Sequence, residues 1–585
     1  MKVWAFCFSV ILVASMSLKM DASAETETNA QPPSADASYA TLATSYFHEL
    51  FRDNPSTASD AGIHDYDSAL DDLSAAHFAS ELATDKAVLA KLGAINPKSL
   101  SPEVQIDRQM LIYALEDDLL IAGTRADWRH NPDLYTGTAS GAVFGIMARN
   151  YAPLAKRMQY AIARERQIPR LLSQARKNLT TVDAATAEVS YEDAAGSVSF
   201  FEHDVALAFE PVRDAALQKQ FRETNEAAAR AVADYARWIK SGPLAHPGGT
   251  FALGTAQYQQ RLLYIDAVTM PVTQYLSIGE KALADTQKQF VSVAHHIDPA
   301  RSPIAVYEAL SFKHPPANGV LAAAQNDVTA LRAFVSAHHI ISLPPDADIH
   351  VIETPSYARS QIFAAFDPPG PLETVATQTY YFVTPPDPTW PKARQDMMLG
   401  SLNDYARPII SAHEIMPGHF VNWAIDKHLN LSLTRKLMFN PEFGEGWAHY
   451  DEQMIVDEGW GNGDPRVRLA QLHGALLREC RYVVGVKLHT QGMTVDQATA
   501  FLMKNAYMTR DDAQREALRG TQDPMYGYYT LGKLMILKLR RDYQKKMGSQ
   551  YSLQGFHDAL LAHGDPPIPL LRPLLLGSAD DGKPI

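Results

Sequence analysis

The sequence predicts a mainly α-helical protein, one large helical body with a small β-sheet beside the stretch that carries its chemistry. Three observations predict this. Apolar residues recur with a helical period through 142–179, 219–239, 273–297 and 318–338. Two short runs, 348–353 and 378–384, are β-branched and aromatic, bounded by Pro344-Pro345 and Pro369-Gly370-Pro371, and read as strands. No repeat of fixed period and no low-complexity linker divides the chain, so residues 38–585 are expected to form one helical catalytic domain, with a helical part at 38–342 and a metal-site part at 343–585.

Taken in order, the chain opens with Lys2, an apolar run at 3–13 and small residues ending Ala22-Ser23-Ala24. This is the pattern of a secretory signal cut after Ala24, and predicts export to a periplasm or beyond the cell. The apolar run is short for a membrane span, and no later stretch reaches about 18 uninterrupted apolar residues, so stable membrane insertion is not expected. Cys7 lies inside the signal, in neither the position nor the context of a lipid-modified cysteine. Removing the signal leaves Cys480 alone, so no internal disulfide stabilises the roughly 560 remaining residues, which are enough to bury a large core. A net charge of −13 argues against nucleic acid or an anionic membrane as partner. Residues 25–37 are polar and read as a disordered leader. Helices start near Tyr39. Ser74 reads as the cap of 75–92, and Ser101-Pro102 as cap and first-turn proline of 103–121.

The chemistry centres on His413-Glu414-Ile415-Met416-Pro417-Gly418-His419. In the zinc-hydrolase motif HExxH, two histidines one helical turn apart hold Zn²⁺, and the intervening glutamate takes a proton from the activated water. Here the second histidine comes two residues later. In an unbroken helix the rings would be roughly 120° apart around the axis and about 9 Å along it, too far for one metal. Pro417, however, collides with the carbonyl of His413 and cannot bond it, and Gly418 opens backbone angles closed to other residues. The spacing therefore predicts a helix break that lets His413 and His419 converge. In a continuous helix His449 would take the place of His419.

About thirty residues on, Glu445, His449 and Glu452 fall at i, i+4 and i+7, one face of a helix that begins after Pro441 and Gly444. Two histidines and one glutamate leave a fourth position for water, as catalytic zinc requires, which makes Glu445 the third candidate ligand of a single ion. His449 and Glu452 are placed to hold ligands by hydrogen bonds.

These two clusters, HExxPGH and EGWA-x-Y, resemble the hallmarks of the bacterial family known as domain of unknown function 885. Further matches are Gly62-Ile63-His64-Asp65-Tyr66-Asp67, Arg478-Glu479-Cys480-Arg481 leading to Leu488-His489, and Arg519-Gly520-Thr521-Gln522-Asp523-Pro524 leading to Tyr529-Thr530-Leu531-Gly532-Lys533. The resemblance spans essentially the whole mature chain. It implies a helical, gluzincin-like zinc metallopeptidase, by analogy of fold. One departure is Gly485, near a place where many members carry an acid, so an ion pair from that acid to the arginines is expected to be missing here.

The expected function is thus zinc-dependent hydrolysis of a peptide or small amide, with Glu414 as general base. Tyr529 is the first candidate for the oxyanion donor, with Tyr526 and His489 behind it. Arg478 and Arg481 are candidate contacts to a substrate carboxylate, against a structural role for both. Tyr380 and Tyr381 lie on a strand that either binds extended substrate by edge pairing or is an ordinary core strand. The alternatives are an inactive helical binding protein and a zinc hydrolase of a non-peptide amide or ester. Oligomeric state, substrate length and end preference are not written in these motifs.

Overall fold

A computed structural model describes residues 34–345, 348–355, 359 and 362–585. The expected signal at 1–24 and most of the leader lie outside the described residues. The end of the leader does not: Ser34 accepts from Ala37 N–H, so the first helix, Ala35–Asp53, starts before Tyr39. Ser74 caps Ala75–Ala94 in the same way, through His77 N–H. Ser101 makes no side-chain cap bond to Pro102–Asp118, and the chain beyond Asp118 widens into a π-type turn over Leu119–Arg125.

The periodic stretch 142–179 is covered by three helices, Asp133–Ala148, Leu154–Glu165 and Ile168–Asn178. Pro153 and Pro169 interrupt it, because neither can donate the next helical hydrogen bond. These helices pack with Ala184–Ser199 and Ala215–Ser241 round a core of their own, including Tyr135, Ile146, Met158, Phe201 and Tyr235. A larger core takes residues from both sides of position 343. Tyr39, Phe47, Leu283 and Val328 belong to it together with Phe420, Trp447, Tyr482 and Leu531.

The fold is mainly α, as expected, with one small sheet among the described residues. Its strands are β1 (His350–Glu353), β2 (Ala364–Asp367) and β3 (Tyr380–Val383), in the order β1-β3-β2. β1 runs parallel to β3, with His350 opposite Tyr380, and β2 runs antiparallel, with Phe366 opposite Tyr381. The sequence reading missed β2 because Ala364-Ala365 has little strand propensity. Among the described residues no helix is long and apolar enough to cross a membrane.

Five helices frame the site. The motif lies on two short ones, Arg407–Glu414 and His419–Asp426. The others are the acidic helix Pro441–Asp457, the arginine helix Pro465–Thr490 and the tyrosine helix Tyr528–Met547. The acidic and tyrosine helices touch backbone to backbone. A Cβ at Gly532 would fall onto the carbonyl oxygen of Glu442 and 2.7 Å from Gly446 Cα. Backbone cannot swing aside as a side chain can. Gly532→Ala should therefore lower stability by about 1–3 kcal/mol, the range for overpacking. Urea unfolding is the check, and an unchanged midpoint would mean the two helices separate freely.

Candidate metal centre

The helix break expected from Pro417 and Gly418 is present. Ile415 and Met416 both donate to Ser411 O, at 2.9 and 3.1 Å, and Gly418 donates to Ala412 O at 3.0 Å. The backbone thus wraps off the first motif helix, passes a cis Met416–Pro417 bond and re-enters helix at His419. Gly418 is required by close approach, since a Cβ there would fall onto the carbonyl oxygen of His413. The second motif closes over this wrap: Trp447 Nε1–H donates to Pro417 O at 3.1 Å. The two sequence hallmarks are thus in direct contact.

The break brings His413 and His419 together, with ring centroids 4.9 Å apart and planes at 85°. Glu445 Oε2 lies 3.4 Å from His413 Nε2 and 3.4 Å from His419 Nε2. All three residues are buried. Their donor atoms lie within 4.8 Å of one another. For a tetrahedral ion with bonds of about 2.0–2.2 Å, neighbouring donor atoms should be about 3.3–3.5 Å apart. Two edges of this triangle have that length. Two imidazoles and one carboxylate also match the chemistry zinc prefers, so the residues fit the metal.

His413 turns its other nitrogen to a carboxylate, as metal-bound histidines do. Its Nδ1 is 2.8 Å from Glu452 Oε1. Glu452 Oε2 faces His449 Nδ1 at 3.2 Å, and Arg478 Nη2 lies 2.8 Å from Glu452 Oε1. Burial, aided by the charge of Lys533, pushes His449 down to about 3, so its imidazole is neutral. With its Nδ1 on Glu452 and no place among the three clustered donors, His449 stands behind the triad, not in it. Glu452→Ala should weaken zinc binding by roughly 10- to 100-fold without abolishing it. A competitive chelator titration reads this directly, and unaltered affinity would detach Glu452 from the site.

Glu414 is half-buried and does not belong to the triad. Its Oε2 accepts from the backbone N–H of Phe366 at 3.0 Å. That donor, on the missed strand β2, is a contact to the motif that sequence reasoning could not find, because a backbone N–H leaves no side-chain signal.

The remaining candidates separate. Tyr529 stays near the centre, its ring 5.5 Å from the Arg478 guanidinium, whose Nη2 is 3.5 Å from His413 Nδ1. His489 does not. Its Nε2 pairs with Gly520 O at 2.8 Å, and its ring packs on Phe251 and Tyr258 in the core. Tyr526 is fully buried, with its hydroxyl 3.4 Å from Glu516 O.

The strand with Tyr380 and Tyr381 is central in its sheet, flanked on both sides, so it has no edge to offer. Tyr381 is a core residue bonded to Ser411 Oγ at 3.2 Å, and Tyr380 stacks on Phe382. The edge strand beside Glu414 is β2 instead. Arg478 and Arg481 are both taken up by carboxylates of the chain: Arg481 makes two hydrogen bonds of 2.7 Å to Glu516. Glu516 thus supplies an ion pair that Gly485 does not. At Gly485 a Cβ would already be 3.0 Å from Pro524 O and from the Tyr526 ring, leaving no room for an acid.

A family described as bacterial proteins of unknown function (DUF885) matches residues 55–575. A solved structure from Shewanella oneidensis, provisionally described as a lipoprotein of unknown function, is similar with TM-score 0.79 and 26% identity, over 92% of this chain and 99% of that one. A crystal structure from Colwellia psychrerythraea, also provisionally a lipoprotein, has TM-score 0.81 and 17% identity, over 94% of this chain and 100% of the other, a likeness of fold. No curated protein matches.

Proposed function

The chain belongs to the bacterial DUF885 family, and on the geometry of its buried triad we propose that it is a zinc-dependent hydrolase that cleaves peptide bonds. The observation that carries this reading is a His413–His419–Glu445 triangle with two 3.4 Å edges, beside a glutamate that is not part of it. Zinc held there would supply a Lewis acid that lowers the pKa of a water to about 7. Glu414, aimed through Oε2 by Phe366 N–H, keeps Oε1 to take a proton from the attacking water and return it to the leaving amine. Tyr529 is the donor that steadies the oxyanion. Peptide, and not another amide, is the substrate class that the motif's likeness to zinc metallopeptidases implies. The secretory pattern at 1–24, together with the provisional lipoprotein descriptions of the two similar structures, supports a place in the cell envelope.

Metal analysis of the purified protein, followed by digestion of a peptide library before and after chelation, tests the reading. It expects about one zinc per chain and cleavage that chelation removes and zinc restores. Zinc without cleavage would favour a binding protein, and cleavage indifferent to chelation would overturn the metal mechanism.

Metal uptake should also carry a proton signature. Burial pushes the His413 imidazole down, but its hydrogen bonds to Glu445 and Glu452 win and raise it to about 10. The metal-free protein therefore holds a proton that zinc must displace. Between about pH 6 and pH 8, uptake should release at least one proton per ion, and affinity should strengthen as pH rises. Calorimetry in buffers of different ionisation enthalpy measures the count; zero would contradict the arrangement.

A further inference from the structure

Two guanidinium groups lie over Tyr529 and a third stands close by. Those of Arg478 and Arg481 are 5.5 and 5.4 Å from its ring centroid, and that of Arg519 is 5.9 Å from the ring of Tyr526 and 3.4 Å, through Nη2, from the hydroxyl of the adjacent Tyr528. The first two are matched by carboxylates of the chain, Glu452 at 2.8 Å and Glu516 at 2.7 Å. Arg519 is different. Among the described residues its one side-chain hydrogen bond is a long one, from Nη2 to Tyr528 Oη at 3.4 Å. Asp523 is 3.8 Å away, beyond hydrogen-bond range, and accepts from the Tyr528 hydroxyl at 3.2 Å. A guanidinium offers five N–H donors in a flat fork that fits a carboxylate. The Arg519 side chain is 38% exposed, so the donors not facing Tyr528 can be reached from solvent. A row of side chains links Arg519 to the triad: Nη2 bonds Tyr528, Arg478 lies over the adjacent Tyr529, and Arg478 Nη2 is 3.5 Å from His413 Nδ1. Glu452 and Glu516 offset Arg478 and Arg481 at hydrogen-bond distance, which leaves Arg519, with Asp523 only at 3.8 Å, as the least closely matched cation of the three.

We propose that Arg519 receives a carboxylate of the substrate, which makes this a site for peptides that present a negative group to the Tyr528–Tyr529 corner. The inference rests on the hydrolase reading for its substrate class. It departs from the sequence expectation in moving the role from Arg478 and Arg481, which hold parts of the site together, to Arg519. The carboxylate can be a C-terminus or an acidic side chain.

Binding separates these cases without depending on turnover. Zinc-loaded Glu414→Gln protein is titrated by calorimetry with three versions of one short N-acetylated peptide. One ends in a free acid, one in an amide, and one in an amide after a terminal Glu. The free acid or the Glu amide, or both, should bind roughly 10- to 100-fold more tightly than the neutral amide, the worth of hydrogen bonds to a charged group. Whichever is preferred identifies the source of the carboxylate. Arg519→Gln, introduced in the same background, should erase the preference, and Arg519→Lys should keep part of it, with thermal unfolding as the check on folding. Equal affinity for all three, no binding of any, or a preference that survives Arg519→Gln would overturn the proposal. Zinc content and chelation-sensitive cleavage are measured on the unmodified protein, so failure of the hydrolase reading shows there independently.

Discussion

Glu414→Gln should leave zinc bound and the fold intact while hydrolysis falls by roughly 10²-fold or more, the loss expected of a general base. The metal should stay because Glu414 is outside the triad, whose donors are His413, His419 and Glu445. The fold should stay because glutamine has the same shape, and its amide oxygen can accept the Phe366 N–H that now goes to Oε2 at 3.0 Å. What is lost is an oxygen able to take a proton. The measurement is steady-state cleavage of a peptide found in the library digest, alongside zinc content. Near-normal turnover in a zinc-replete Glu414→Gln protein would sink the mechanism whatever the ligands are.

His419→Ala should abolish stable zinc binding, whereas His449→Ala should retain it with at most the roughly 10- to 100-fold weakening of an outer contact. His419 Nε2 sits 3.4 Å from Glu445 Oε2, and its removal leaves only two donors. His449 reaches the site indirectly: its Nδ1 pairs with Glu452 Oε2, and Glu452 in turn holds His413. Zinc content after dialysis against a weak chelator distinguishes the two variants. If zinc survives His419→Ala but is lost in His449→Ala, the ligand set is His413, Glu445 and His449, and the triangle described above is not the metal site.

Much of the local structure follows from residues a few positions apart. The helical class is written in 3.6-residue periodicity, and the end of the first motif helix in Pro417 and Gly418. The shared face of Glu445, His449 and Glu452 follows from their spacing. The errors were local too. The helical period of 142–179 does not show where Pro153 and Pro169 divide it into three helices, and β2 was missed because two alanines carry no strand signal.

Partner choice is what only the tertiary structure decided. Glu414 takes its hydrogen bond from a residue 48 positions away, and Arg481 finds its carboxylate 35 positions away at Glu516. Tyr381, on a strand the sequence left open between substrate edge and core, is buried against Ser411 because β3 is the middle strand of its sheet. Arg478, Arg481 and Arg519 look alike in the sequence, yet two are matched by acids and one keeps most of its donors open. The physical reason is one of range. Helix period, caps and proline breaks act within about a turn of backbone, so the sequence alone determined that His413 and His419 could meet. Hydrogen bonds and ion pairs act across packed helices whose order no local pattern encodes. Packing alone therefore set Glu452 behind His413, put Phe366 N–H on Glu414 and left Arg519 partly exposed.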